Sequence, residues 1–252
     1  MAEAPPPDLV AAAESGDAEA QNELGKFYLA LGSAEGTEFA KVWFRRAADQ
    51  GLPKAMHNLG VLDYYEGRKG SAQRWYAAAI ERGWLNSAVA LGVILEEAGR
   101  VDEAMKLYEV AAQKGNADGQ VRLADKAFDL NTEEGDIRSR HLSELAAAQG
   151  NMDAECQLGW IYHEGRAVER DPKRAFSHWM RAALSGHPGS QFMIAVAYEV
   201  GAGVEADRIE SAFWYTRVAP VNEQARYMLE SLKLSSDEKA ALELRLRQDT
   251  RH

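Results

Sequence analysis

The sequence predicts an all-α fold, a stack of about seven helix–turn–helix repeats, and three recurring marks carry that prediction. The first is a Gly followed eight residues later by an aliphatic residue: Gly16…Leu24, Gly51…Leu59, Gly83…Leu91, Gly115…Leu123, Gly150…Leu158 and Gly186…Ile194. A seventh copy ends at Leu229, where Asn222 stands in for the Gly and the turn reads one residue shorter. Successive aliphatic marks lie 35, 32, 32, 35, 36 and 35 residues apart, the period of helix pairs that bury their apolar faces only by stacking. The second is a small residue four before each mark (Ala20, Ala55, Ser87, Gly119, Ala154, Ser190, Ala225), usually with another just after it (Gly25, Gly60, Gly92, Ala124, Gly159, Ala195). Small residues one turn apart let a neighbouring helix approach closely, and they define helix A of each unit. The third lies in the preceding helix B, whose last turn carries an Ala pair, as at Ala47-Ala48, Ala111-Ala112, Ala146-Ala147 and Ala182-Ala183. One turn earlier stands a bulky pair that fills the space the alanines open: Trp43-Phe44, Trp75-Tyr76, Leu107-Tyr108, His178-Trp179 and Trp214-Tyr215.

The elements follow in chain order. A first helix B is expected near Asp8–Ser15, started by Pro7 and stopped by Gly16. Helices A and B then alternate, seven of each, and each inter-unit Gly ends its helix B in the left-handed region that glycine adopts without penalty. Asn222 is read as the next best residue for that stop. Beyond Leu234 one further helix is expected, capped by Ser235 or Ser236, with acids in its first turn and arginines in its last to suit the helix dipole. Its stripe of Ala241, Leu242 and Leu244 is expected to cover the open end of the stack. The chain thus divides into a flexible tail (1–6), the repeat array (7–232) and a C-terminal capping helix and tail (233–252), and reads as complete.

Composition narrows the function. The chain has 252 residues, 39 acidic against 29 basic, and a net charge of −10. Such a chain repels phosphate backbones unless it carries a basic stripe, and Arg45-Arg46 and Arg245, Arg247 and Arg251 are short clusters beside acids. Nucleic acid is not expected as a partner. With one cysteine, Cys156, neither an intramolecular disulfide nor a thiolate metal cage forms. Neither a signal peptide nor a run of the ~20 apolar residues that span a bilayer is present, so membrane insertion is not expected and the cytoplasm is the expected location, a trimmed exported chain being the alternative.

Catalytic constellations are absent from the pattern. His163-Glu164 has no second His at metalloprotease spacing. Cys156 and His163 share a helix face but stand about 10 Å apart along the axis at ~1.5 Å per residue, too far for a nucleophile–base pair. His57, His141, His178 and His187 fall in different units, and Glu96-Glu97 and Glu133-Glu134 read as solvated faces. No enzyme activity, metal or cofactor is expected.

The marks resemble the Sel-1-like repeat family, a relative of the tetratricopeptide repeats. The best match runs from Leu158-Gly159 through Tyr162, Gly165, Val168, Asp171 and Ala175 to Ala182-Ala183 and Gly186, and the next unit repeats it as Ile194, Tyr198, Gly201-Ala-Gly203-Val204 and Asp207. The units at 55–83 and 87–115 lack the Gly-x-Gly-Val loop, have the shorter spacing and resemble tetratricopeptide units; the unit at 119–150 lacks the Tyr and carries Asn131–Asp136 in place of the loop. Some secreted relatives staple helices with paired cysteines, which this chain cannot do. The resemblance implies a right-handed α–α superhelical solenoid whose Tyr packs on the helix pair, whose Gly ends helix A, whose Val tucks the loop inward and whose Asp caps helix B.

It also implies a binding surface. In the tetratricopeptide arrangement helix A lines the concave face, with inward positions two before and two, five and six after the mark. Carried onto this chain, the candidate partner-binding residues are His57, Tyr64, Tyr65, Val93, Glu96, Glu97, Asp125, Phe128, Asp129, Trp160, His163, Glu164 and Glu199. Val89, Val121, Cys156 and Phe192 at the same offsets are expected to pack between neighbouring A helices. Aromatics and valines beside a ridge of carboxylates suit a protein segment that offers apolar anchors flanked by Lys or Arg. The expected function is a non-enzymatic scaffold or adaptor. The alternatives are an immunity-like protein that plugs a toxic enzyme, as some bacterial relatives do, and an envelope or exopolysaccharide regulatory protein.

Overall fold

The computed structural model describes residues 4–249, and among them it contains fifteen α-helices and no strand. Residues 1–3 of the expected tail and 250–252 of the expected C-terminal segment, with Arg251, lie outside the described residues. The B helices are α1 (Pro7–Glu14), α3 (Ala34–Asp49), α5 (Lys69–Glu81), α7 (Val101–Gln113), α9 (Glu133–Ala147), α11 (Pro172–Leu184) and α13 (Arg208–Val218). The A helices are α2 (Ala18–Ala30), α4 (Pro53–Tyr65), α6 (Asn86–Glu97), α8 (Ala117–Asp129), α10 (Met152–Glu164), α12 (Pro188–Val200) and α14 (Glu223–Ser231), and α15 (Ser236–Asp249) closes the chain. This is the expected all-α helical repeat fold. The chain forms two compact units, Met1–Gly119 and Gln120–His252.

The turn from B to A is a two-residue device. Gly16, Gly51, Gly83, Gly115, Gly150 and Gly186 all sit at positive φ, and the residue after the Gly usually caps the next helix. Asp17 accepts from the Ala20 amide at 2.7 Å, Asn151 from Ala154 at 3.0 Å, and His187 Nδ1 from Ser190 at 3.0 Å. Each supplies an oxygen or nitrogen to an amide that the first helical turn leaves unpaired. Asn222 belongs to this second role, contrary to the sequence reading. Its φ is −136°, and its side chain accepts from the Ala225 amide at 2.9 Å. It corresponds to Asp17 rather than to Gly16, so the cap-to-mark distance is unchanged and only the Gly is missing.

In the first unit each helix A receives a ring from its own helix B on a bare glycine. A Cβ built on Gly25 would lie 2.6 Å from the Phe44 ring, one on Gly60 2.5 Å from Tyr76, and one on Gly92 2.4 Å from Tyr108. All three rings are buried, each worth roughly 1.5–3 kcal/mol of burial. Amide side chains add links between neighbouring elements: Asn58 Nδ2 of α4 donates to Asn22 Oδ1 of α2 at 2.9 Å, and Gln50 Nε2, at the end of α3, to Gln21 Oε1 of α2 at 2.9 Å.

The second unit repeats the contact with Trp179, whose indole lies 2.2 Å from a Cβ built on Gly159. Its core gathers Trp179, Ile194, Phe213, Trp214, Tyr215 and Val218. The long A-to-B loops are fixed by backbone: the amides of Asp171 and Asp207 each donate at 2.9 Å to the carbonyls of Tyr162 and Tyr198. Asp171 and Asp207 in turn cap α11 and α13, and Gly165 and Gly201 end α10 and α12 in the left-handed region, as expected. Gly203 has a further reason to be glycine, because a Cβ there would meet the Pro172 carbonyl at 2.1 Å. At the C-terminus Ser235 and Glu238 form a capping box, the Glu238 amide donating to Ser235 Oγ at 3.2 Å and Ser235 N to Glu238 Oε2 at 2.8 Å. The face that α15 buries differs from the expected stripe. Leu242 and Leu246 pack on the core while Leu244 is 60% exposed and Ala241 points outward. Between the two leucines Arg245 lays its guanidinium 3.9 Å from the Phe213 ring centre and pairs with Glu210 at 2.6 Å. An amphipathic arginine thus covers apolar surface that a sequence reading assigns to leucine or alanine.

Alanine ordinarily stabilises a helix by about 1 kcal/mol over glycine. Gly92→Ala is expected to do the reverse, lowering stability by about 1–3 kcal/mol because Tyr108 must leave its seat. Gly70→Ala, whose new methyl meets no atom within 4 Å, is expected to be neutral or stabilising. Urea unfolding of the two variants checks both signs.

Candidate partner-binding surface

The offsets that define the candidate surface sort by burial. In the first unit, the position two before the mark is half-buried at His57 and closed at Val89. His57 Nδ1 lies 2.9 Å from Ser87 Oγ, its ring packs against Tyr76, and burial pulls its pKa below the usual imidazole value. Val93, two after the mark, is half-buried. Tyr64 and Glu96, five after it, lean back onto the helix B rings: Tyr64 packs against the Tyr76 cluster, and Tyr108 Oη donates to Glu96 Oε2 at 2.7 Å. The position after that is open. Tyr65 is 81% exposed, and Glu97 is exposed as well.

Glu97 also organises its surroundings. Lys69 Nζ donates to it at 2.8 Å and Tyr64 Oη at 2.5 Å. The Lys69 hydrogen bond first, and then that of Tyr64, holds the Glu97 carboxyl below the usual glutamate range. The open track of this unit is therefore a tyrosine pair, 5.8 Å between ring centres, beside one anchored carboxylate.

The second unit follows the same rule. Val121 is buried and Cys156 and Phe192 are half-buried, as expected of packing positions. Burial raises the Cys156 thiol pKa, the opposite of what a nucleophile needs. Trp160 packs edge-on against the buried Trp179 at 5.4 Å between ring centres, and His163 lies tilted against it at 5.3 Å. Tyr215 Oη donates to Glu199 at 2.8 Å, as Tyr108 does to Glu96. Phe128 is covered: the Arg166 guanidinium sits 3.5 Å from its ring centre and donates to the Phe128 carbonyl at 2.6 Å. Arg166 also pairs with Asp136 at 2.5 Å and approaches Glu164 to 3.9 Å. Asp129 and Glu164, six after their marks, are exposed, and Val200 at the same place is 67% exposed.

Sequence reasoning missed Arg166 and Lys69, whose partners lie far along the chain and leave no local signal. It could have found the Glu96–Tyr108 and Glu199–Tyr215 bonds, since both pair an acid five after the mark with a tyrosine of the bulky helix B pair. Among the described residues no group of three or more His, Cys, Asp or Glu is placed to hold a metal ion, and no helix is long and apolar enough to cross a membrane.

The sequence matches the Sel1 repeat over residues 18–52, 53–84, 101–116, 117–151, 153–187 and 188–219. The chain belongs to the Sel1 repeat family, whose members generally mediate protein–protein interaction on a non-enzymatic helical repeat scaffold. Among solved structures it is similar to a protective antigen of uropathogenic Escherichia coli with an SLR fold, at 33% identity and a TM-score of 0.64 over 88% of this chain. The present chain spans 50% of that protein's length. A Sel1 repeat protein from Oxalobacter formigenes matches at 23% identity and TM-score 0.70, covering 90% of this chain and 96% of that one. An immunity protein from Pseudomonas aeruginosa matches at 17% identity and TM-score 0.56, covering 88% and 85%. No curated protein gives a significant match.

Asp125 gives this surface a pH signature. Burial is the main cause that pushes its pKa up to about 6; Asp129 and Asp153 add to the rise, while Arg122 and Lys126 oppose it. The folded chain holds this proton more tightly than the unfolded chain, so the contribution of Asp125 is intact below pH ~4 and is lost as pH rises through about 6. At about 1.4 kcal/mol per pH unit the full displacement would reach ~3 kcal/mol, which partial exposure reduces to roughly 1. Asp125→Asn is expected to raise stability by about 1 kcal/mol at pH 7.5 and by nothing at pH 4, measured by urea unfolding at the two values.

Proposed function

We propose that this protein is a non-enzymatic adaptor that holds a segment of another protein on the exposed faces of its A helices. The carrying observation is the position six after the mark, which is exposed at Tyr65, Glu97, Asp129, Glu164 and Val200. In the first unit the exposed Tyr65 ring packs against Tyr64, which holds Glu97, so an apolar anchor and a carboxylate stand together for a guest. In the first unit Tyr65 supplies an anchor and Glu97 attracts a basic residue of the guest; in the second unit Val200 supplies an anchor and Asp129 and Glu164 play the same part, speeding the guest's arrival. His57, Val93, Trp160 and His163 are half-buried and shape the floor. Glu96, Phe128 and Glu199, each tied to an internal partner, hold the track in place, Tyr64 joins Tyr65 and steadies Glu97, and the carboxylate of Asp125 adds to its sign.

The second reading keeps the track and changes the guest to a single toxic enzyme whose basic active site the acids cover. The Pseudomonas aeruginosa immunity protein, which shares the fold, is what favours it. Co-purification from the source cells with mass identification of the bound protein separates the two. Several partners sharing a basic, apolar segment support the adaptor, and one stoichiometric enzyme supports the immunity reading. In either case, joint substitution of Glu97, Asp129 and Glu164 by Lys is expected to weaken the complex at least tenfold at low salt. Unchanged affinity in calorimetric titration would reject the track.

A further inference from the structure

The first unit carries a second surface, on the side of its B helices and distinct from the track. Helices α5 and α7 leave a groove of about 810 Å³ between them, floored by α6. Ala77, Leu91, Leu95, Leu107 and Val110 line it, and Val110 is 46% exposed. Leu91 and Leu95 stand one turn apart on α6, as Leu107 and Val110 do on α7, so the floor presents apolar rows along the groove. Its size falls within the ~300–1,000 Å³ of ordinary ligand clefts.

The sequence explains why the groove is open. In the second unit the seven-residue connection 201–207 runs back over the preceding helix B and rests its Gly203 on Pro172. Here α6 joins α7 through residues 98–100 alone, and no loop backbone is available to fill the seam. Residues 85–100, which include Leu91, Leu95 and Arg100, are also the internal stretch that the Sel1 repeat pattern leaves unmatched.

The rim decides the occupant. Arg74, Arg100 and Lys106 line it against one acid, Glu103, which Arg100 holds through two hydrogen bonds of 2.7 Å. Arg74 has no ion pair among the described residues, and it also borders a smaller hollow in which Arg45 lies 4.7 Å from the Trp75 ring centre. The groove is thus basic on a chain whose net charge is −10, the reverse of the acidic track. A second copy of the chain, repelled at long range by its own net charge, is disfavoured there.

We infer that the α5–α6–α7 groove is a docking site for an acidic amphipathic helix of a partner protein, whose leucine-like face fills the floor and whose carboxylates meet Arg74 and Lys106. Three labelled helical peptides with one leucine face and a Glu, Gln or Lys polar face test this by fluorescence anisotropy. The Glu peptide is expected to bind most tightly, with amide shifts mapped by NMR to residues 70–110 on the groove side. Arg74→Glu with Lys106→Glu is expected to cost at least tenfold in affinity without changing the circular dichroism spectrum, while Glu14→Lys, on the exposed face of α1, leaves Glu-peptide binding unchanged. Failure of the Glu peptide to bind at millimolar concentration, equal affinity for all three peptides, or shifts at Tyr65 and Glu97 instead would overturn the inference. So would concentration-dependent dimerisation lost in the Arg74→Glu, Lys106→Glu variant, which would make a second copy the occupant. Because the acidic track selects the Lys peptide, failure of one surface leaves the other untouched.

Discussion

The fold depends on one contact made again and again: an aromatic ring of helix B seated against a glycine of helix A. Phe44 on Gly25, Tyr76 on Gly60, Tyr108 on Gly92 and Trp179 on Gly159 leave no room for even a methyl group. The close approach gives the ring many dispersion contacts, which offset the backbone entropy that a mid-helix glycine costs. Where the glycine becomes Ala195, the ring is Tyr215 and both remain fully buried.

The character of the A-helix surface follows from that contact. A ring seated on the glycine just after the mark brings its edge beneath the residue five after the mark. That residue packs against the ring, as at Tyr64 and His163, or accepts from its phenol, as at Glu96 and Glu199. The next residue along the helix turns about 100° away and faces water. A single residue of helix register thus separates carboxylates that are structural from carboxylates available to a guest. For Tyr215 the consequence is electrostatic: burial and then its bond to Glu199 drive the phenol pKa upward, so it stays a donor at every physiological pH.

Much of this was legible in the chain. The Gly-to-aliphatic spacing, the small residues and the alanine pairs delimit fourteen helices because each answers a local requirement: a left-handed stop, a close approach, a ring seat. Asn222 was misread because Asn serves both as a left-handed residue and as an N-cap, and the missing Gly made the two roles look interchangeable. The α15 stripe was misread because hydrophobicity alone cannot show that Arg245 will flatten its stem on Phe213. The inward track was legible only as a set of offsets. Its division into open and internal positions depends on partners such as Arg166 over Phe128 and Lys69 on Glu97, brought together by the fold from distant segments. The missing loop before α7 was visible, but that Leu91, Leu95 and Leu107 come to line an open groove there was not.

The turn from B to A and the connection from A to B carry different freedoms. The capping residue sits seven before the mark at Asp17, Asn151, His187 and even Asn222, where the glycine is lost. The return connection ranges from residues 98–100 to residues 165–171 without disturbing that count. Length variation is thereby confined to one side of each hairpin. Such an architecture can be edited like text with fixed line starts and ragged ends: residues added or removed between A and B change which seams are roofed, while each ring still finds its seat.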